Sequence, residues 1–295
     1  MNNQKNISVF GATGKVGSEL LHFLSAAGIP TIAVTRNKSK VKSLPFVDWL
    51  EADLADKVTL GKTMENSKAV FLASSVSRNF STEQNNVIET AKEYGVQHLV
   101  KLSSPGADKN SPNFISRPNG EVEELLKASG LEWTILQPNS FMQNWLGEFS
   151  QTIQKERKIY EATGEGRKPY IDTRDIAEVA FTILTNPANH RNKTYLLTGG
   201  EAVNYYQVAE AISKVIGEKV DYISLTADEF KQRMESKGMP WGMINTFLTI
   251  AEFQRSGNAT FVNDTVSKLL NKAPRTIENF ARDYAPSFIM DTNGQ

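Results

Sequence analysis

The sequence predicts an α/β protein with a Rossmann-type, doubly wound parallel sheet and a smaller, mostly helical subdomain. Three observations carry this. Short apolar runs alternate with helix-patterned stretches across the first half of the chain. The first run leads through Gly11, Gly14 and Gly17 straight into a helical pattern. After Pro138 the alternation gives way to mostly helical sequence. Strand–helix alternation at this spacing puts parallel strands in one sheet with helices on both faces, joined by right-handed crossovers.

Taken in order, the apolar runs Ile7–Phe10, Thr31–Val34, Ala69–Ala73, His98–Leu102 and Trp133–Leu136 read as buried strands, with a weaker one at "VDWLE". Helices are expected over Val16–Ala27, Val58–Asn66, Glu83–Tyr94 and Asn119–Ala128. Beyond Pro138 come a helix-like stretch over Ser140–Glu156, a strand at "TYLLTG", and helices stopped by Gly217 and Gly238. Asp175 in "TRDIAEVA" reads as a helix cap ahead of an apolar face made by Ile176, Val179, Ala180 and Ile183. These elements assign 1–145 and 171–200 to a nucleotide-binding domain, and 146–170 and 201–295 to a substrate-side subdomain.

Composition narrows the function. Lys plus Arg equals Asp plus Glu at 33 each, a balance that offers no basic face for nucleic acid. There is no cysteine, which removes disulfides, thiolate metal sites and a cysteine nucleophile. The three histidines, His22, His98 and His190, form no metal-binding spacing, so no metal site is expected. GxSxG is absent, which argues against a hydrolase. Neither a secretory h-region nor a long apolar span is visible, so a cytoplasmic protein acting on a small molecule, away from membranes, is expected.

The glycine spacing, GxxGxxG between a strand and a helix, suits a phosphate cradle. One glycine makes the tight turn, another lets backbone approach a pyrophosphate, and a third packs the helix close to the sheet. Free N–H groups at the helix start favour an anion there. The next strand ends "TIAVTRNKSK". An acidic residue at this end would read the ribose hydroxyls of NAD; here Arg36 stands, with Lys38 and Lys40 behind it. A guanidinium suits a 2′-phosphate, which favours NADP(H) over NAD(H).

"GATGKVG", Arg36, "ADLAD" and "LVKLSS" together resemble the NmrA-like, atypical short-chain dehydrogenase/reductase family. "GLEWTILQPNSFMQNW", "IYEATGEGRKPYIDTRDIAEVA" and "YYQVAEAISKVIGEKVDYISLTADEF" are similar to its festuclavine/agroclavine dehydrogenase-like branch. The resemblance implies a Rossmann fold that binds NADP(H). It places Gly11, Thr13, Gly14, Lys15, Val16 and Gly17 at the phosphates, Arg36 at the 2′-phosphate and Asp53 on the adenine side. Ala73 and Ser74 would border the ribose, and Ser103 with Pro138 to Ser140 the nicotinamide. Family members reduce imines, quinones or other conjugated molecules; others sense cofactor redox state through a protein partner.

Ordinary members of the wider superfamily use a Tyr proton donor with Lys four residues on. None of the eight tyrosines here has that lysine. The corresponding segment reads "NFISRPNGEVEELL", with Phe114 to Ser116 where the Tyr would stand and Asn119 or Gly120 where the Lys would stand. Hydride transfer to an iminium, quinone or conjugated acceptor needs less acid assistance and fits this departure. A non-catalytic NADP(H) sensor is the alternative. Ser103 and Asn139 are the candidate catalytic groups, Ser103 as a hydrogen-bond donor to substrate. Phe141, Met142, Asn144 and Trp145, with Met239 and Trp241 from "KGMPWGMINTF", are the candidate substrate pocket.

Overall fold

The computed structural model describes residues 6–290, except for the side chain of Lys40. The chain divides into two compact units. The first takes the described part of Met1–Pro138 with Thr173–Leu197 and Lys268–Asn271. The second takes Asn139–Asp172, Thr198–Ser267 and the described part of Lys272–Gln295.

Strands in chain order are β1 (Asn6–Val9), β2 (Thr31–Thr35), β3 (Val47–Glu51), β4 (Ser67–Leu72), β5 (His98–Leu102), β6 (Glu132–Pro138), β7 (Lys158–Glu161), β8 (Lys193–Leu197) and β9 (Asp221–Ser224). The first unit forms a single sheet of order β3-β2-β1-β4-β5-β6-β8. Every pairing in it is parallel. Strand order reverses between β1 and β4, so the carboxyl ends of those two strands form a topological switch point, where ligands bind in open α/β sheets.

Helices are α1 (Lys15–Ala26), α2 (Lys57–Met64), α3 (Phe80–Glu93), α4 (Ser116–Ala128), α5 (Glu148–Glu156) and α6 (Thr173–Thr185). They are followed by α7 (Tyr205–Ile216), α8 (Ala227–Ser236) and α9 (Trp241–Arg255). In the first unit α1 packs along α6, whereas α2, α3 and α4 pack in succession. α1 is held by Val16, Leu20, Leu21 and Leu24, an apolar stripe at helical spacing. The central strands are buried on both faces, as Val70, Phe71 and Leu72 of β4 show, which explains their unbroken apolar runs. All six strands read from the first half of the sequence are present, as is the one at "TYLLTG".

In the second unit β7 and β9 pair in parallel. Its core gathers Trp145, Tyr170, Tyr205, Ile212 and Phe280. α7 begins with a capping box between Asn204 and Gln207. Gly217 and Gly238 follow α7 and α8 with positive φ, as stops of this kind require.

Two local expectations are corrected. Ser140–Glu156 is not one helix: Met142–Leu146 is a 3₁₀ turn, and α5 starts only at Glu148. Gly147, at φ −98° and ψ −111°, lies outside helical space and separates them. Asp175 is not a cap residue; it is the third residue of α6 and fully buried. The apolar face read for α6 is buried as expected. Among the described residues, no helix is long and apolar enough to cross a membrane.

Candidate nucleotide site

Most of the sequence-predicted cofactor residues stand at or after the carboxyl ends of strands in the first unit's sheet. β1 leads into the glycine loop, and Gly11 takes φ +72°, which a side chain rarely tolerates. The three glycines do different jobs. A Cβ on Gly11 would sit 2.5 Å from Ala73 O, at the end of β4. A Cβ on Gly17 would sit 2.1 Å from Gly11 O, so this glycine lets α1 pack against its own loop. A Cβ on Gly14 would meet only Gly11 O, at 3.1 Å; its other side is open.

The start of α1 suits an anion. Gly14 is its N-cap and supplies no side-chain cap, and the first turn contains no acidic residue. Unlike the Ser, Thr, Asp or Asn that opens many helices, the N-cap therefore offers the first N–H groups no side-chain acceptor. Thr13, Gly14 and Lys15 are exposed beside them, whereas Val16 and Gly17 are buried. Desolvation by the surrounding protein lowers the Lys15 pKa, although the residue as a whole is exposed.

Arg36 follows β2 directly and is exposed. Lys38 opens a short 3₁₀ turn capped by Asn37, whose Oδ1 accepts from Ser39 N. Lys40 closes that turn, with its side chain outside the description. Asp53, beyond β3, is exposed, and its Oδ1 accepts from Ala55 N. A helix start with no side-chain cap, a glycine with open space beside it and an exposed guanidinium after the second strand suit an anionic nucleotide. Replacing Arg36 with Ala is expected to weaken NADPH by about 1.5–3 kcal/mol and to spare NADH, the scale of a charged hydrogen bond. Fluorescence titration with both cofactors checks this; equal losses would show that Arg36 does not read the 2′-phosphate.

Further along the edge, Ser74 Oγ accepts from Gln84 Nε2 at 3.0 Å, while Gln84 Oε1, fully buried, has no partner. Ser104 Oγ is likewise buried without a partner. Ser103 is half-buried after β5; its N–H donates to Leu136 O at 2.7 Å, and its hydroxyl donates to Glu123 Oε1 at 2.5 Å.

Sequence reasoning missed the group behind Ser103. Lys101, in β5, is 0% exposed. Its Nζ donates to Asn119 Oδ1 at 2.7 Å and to Leu102 O at 3.1 Å. Burial pulls its pKa down to about 7, with the Glu123 charge opposing the shift. The signal was a lone lysine inside a continuous apolar strand, with Asn119 and Glu123 one helical turn apart on the helix that follows.

Lys101 gives stability a pH dependence. The folded protein keeps it neutral from about pH 7 up to the ordinary lysine range, while the unfolded chain still binds the proton there. The burial cost is therefore complete below pH 7 and disappears as pH rises through that window. Lys101→Met removes the titration. Its stability relative to the parent should be most favourable at pH 6.5 and should fall by on the order of 2 kcal/mol by pH 9. Urea denaturation at the two pH values checks this; a constant difference would refute it.

Asn139, Ser140 and the six expected pocket residues belong to the second unit. Asn139 Oδ1 accepts from Ser140 N at 2.9 Å, and Ser140 O accepts from Ile171 N. Phe141 is half-buried and Asn144 exposed. Met142 and Trp145 sit three apart in a 3₁₀ turn, so both point into the core. Trp145, 2% exposed, stacks edge-on against Tyr170 and Phe280 at 5.0 and 5.3 Å. Met239 packs against the α8–α9 core. Trp241 opens α9 at 56% exposure, with Lys231 Nζ 4.9 Å from its ring centroid.

The fold and this edge define a Rossmann-type α/β protein with a cradle shaped for a phosphorylated nucleotide. The model of the NmrA-like family matches residues 3–281, and the chain belongs to that family. An NAD(P)H azoreductase of Xenophilus azovorans is 34% identical over 284 residues, covering 96% of this chain and 99% of the relative. Agroclavine dehydrogenase of Claviceps fusiformis is 30% identical over 291 residues, with 96% and 99% covered. The NADPH complex of an NADPH-dependent quinone oxidoreductase from Escherichia coli aligns with TM-score 0.82 and 25% identity, covering 94% of this chain and 99% of that one.

Proposed function

We propose that this protein is an NADP(H)-dependent oxidoreductase that passes hydride to a small conjugated, quinone or iminium-type acceptor. The observation that carries the reading is the open side of Gly14 at an uncapped helix start, followed by exposed Arg36 at the end of the next strand. The named activities of the azoreductase and agroclavine dehydrogenase relatives support the same class.

NADPH, when bound, supplies the hydride. The chain's own residues hold and orient it. Gly11, Thr13, Gly14, Lys15, Val16 and Gly17 take the phosphates, and Arg36 takes the 2′-phosphate. Asp53 would border the adenine, Ala73 and Ser74 the ribose, and Ser103 and Pro138 the nicotinamide. Ser103 is the polar group that the first unit would offer to the reacting substrate.

None of the eight tyrosines has a lysine four residues on. Tyr160 OH donates to Glu156, and Tyr170 OH donates to Gln254 Oε1 at 3.0 Å. Burial raises the Tyr170 and Tyr205 pKa values far above the usual tyrosine range. A plain ketone needs an acid for its forming alkoxide, whereas a quinone delocalises the new charge and an iminium becomes a neutral amine. NADPH oxidation is therefore expected with quinones and cyclic iminium ions and not with unactivated ketones. Cofactor deuterated at the transferable C4 position should label an iminium product on carbon. Cofactor-loaded protein that turns over none of a broad panel would overturn the enzymatic reading. Efficient ketone reduction lost on one Tyr→Phe change would overturn the mechanism.

A further inference from the structure

Ser103 has one proton to give, and the structure shows where it goes. The hydroxyl donates to Glu123 Oε1 at 2.5 Å. Glu123 is 4% exposed, and its other neighbours are donors as well. Gln137 Nε2 donates to the same oxygen at 2.8 Å, and Lys127 Nζ lies 3.4 Å from Oε2. A carboxyl group ringed by donors acts as acceptor and holds the Ser103 proton inward. Ser103 is left with lone pairs to offer.

The arrangement is built from below. Lys101 Nζ ties β5 to Asn119 Oδ1, and Asn119 Nδ2 donates to Ile115 O within the start of α4. Glu123 lies one turn beyond Asn119, so this tie sets the carboxylate opposite Ser103. Ser103 N–H, bonded to Leu136 O, anchors the same residue from the β6 side. The hydroxyl is thus fixed in direction at the carboxyl end of β5, two strands from β1 and next to the switch point.

We propose that Ser103 acts as a hydrogen-bond acceptor, with Glu123 as its positioning residue, and that the pair selects reducible substrates whose reacting group carries an N–H or O–H, such as a protonated cyclic iminium. This deepens the hydride-transfer reading and rests on it. It reverses the donor role that a serine at a strand end suggests from sequence. A site built to accept a hydrogen bond disfavours an analogue lacking the donor, because that analogue takes the place of water and leaves the acceptor lone pair without a partner.

The test compares three acceptors at pH 7 with NADPH. They are 3,4-dihydroisoquinolinium, which carries N–H; its N-methyl counterpart, which has the same charge and no N–H; and a naphthoquinone. The reading is the kcat/KM ratio of the N–H to the N-methyl iminium within each variant, which cancels losses in folding or cofactor binding. The ratio is expected to be about tenfold or more in the parent, the scale of a hydrogen bond to a charged group. It should fall to about one in Ser103→Ala, fall part of the way in Glu123→Gln, and recover in Ser103→Thr. The naphthoquinone, which offers no N–H, should lose no more than the N-methyl iminium does in each variant. A ratio unchanged by Ser103→Ala, or losses shared equally by all three acceptors, would overturn the acceptor role and leave hydride transfer standing. No NADPH oxidation with any acceptor would overturn the hydride-transfer reading, and this inference with it.

Discussion

Gly14→Val should abolish NADPH binding while leaving the thermal midpoint within a few degrees of the parent. Gly14 has φ −82°, so a side chain costs no backbone strain there. Its added Cβ would meet only Gly11 O, at 3.1 Å. The rest of the isopropyl group would take up space at the start of α1, where a pyrophosphate would lie. Gly17→Ala should do the opposite damage. Its Cβ would fall 2.1 Å from Gly11 O and 3.0 Å from Ala12 Cα, both backbone atoms that cannot swing aside. The helix must move off its loop, at a cost of several kcal/mol in the manner of an overpacked core. Calorimetry beside an NADPH titration separates the two. Gly14→Val with parent-like affinity would dismiss the cradle.

Trp145→Ala is expected to cost about 3–5 kcal/mol of stability, the range for emptying a large aromatic site in a core. The ring is 2% exposed and lies edge-on to Tyr170, Tyr205 and Phe280. Its loss would open a cavity among side chains from the 3₁₀ turn, α7 and the helix Ile277–Asp283. Denaturant unfolding measures the cost. A stable variant whose only defect is a raised KM would instead make Trp145 a wall in direct contact with substrate.

These two positions show how far the sequence reaches. The parallel sheet was legible because strands buried on both faces must be continuously apolar, and Val70, Phe71 and Leu72 are. The glycine loop was legible because tight backbone approach leaves few residue choices, and Arg36 because it stands at a fixed offset on the next strand. The residue type also carried the apolar face of α6. The division of labour among Gly11, Gly14 and Gly17 was not readable from spacing; it depends on which backbone atoms lie across from each Cα.

By itself, then, the sequence determined the architecture, the glycine loop between β1 and α1 and the positive charge that follows the second strand. Those follow from local pattern and from the period of burial. Tertiary structure decided what long-range partners decide. It broke Ser140–Glu156 at Gly147, buried Asp175 inside α6, and turned Met142 and Trp145 into the core. It also joined Lys101, Asn119, Glu123 and Ser103 into one polar group. The physical reason is that a side chain's hydrogen-bond direction is set by what faces it. Ser103 and Glu123 lie twenty residues apart in sequence yet 2.5 Å apart in space, and only the packing of α4 on β5 makes them partners.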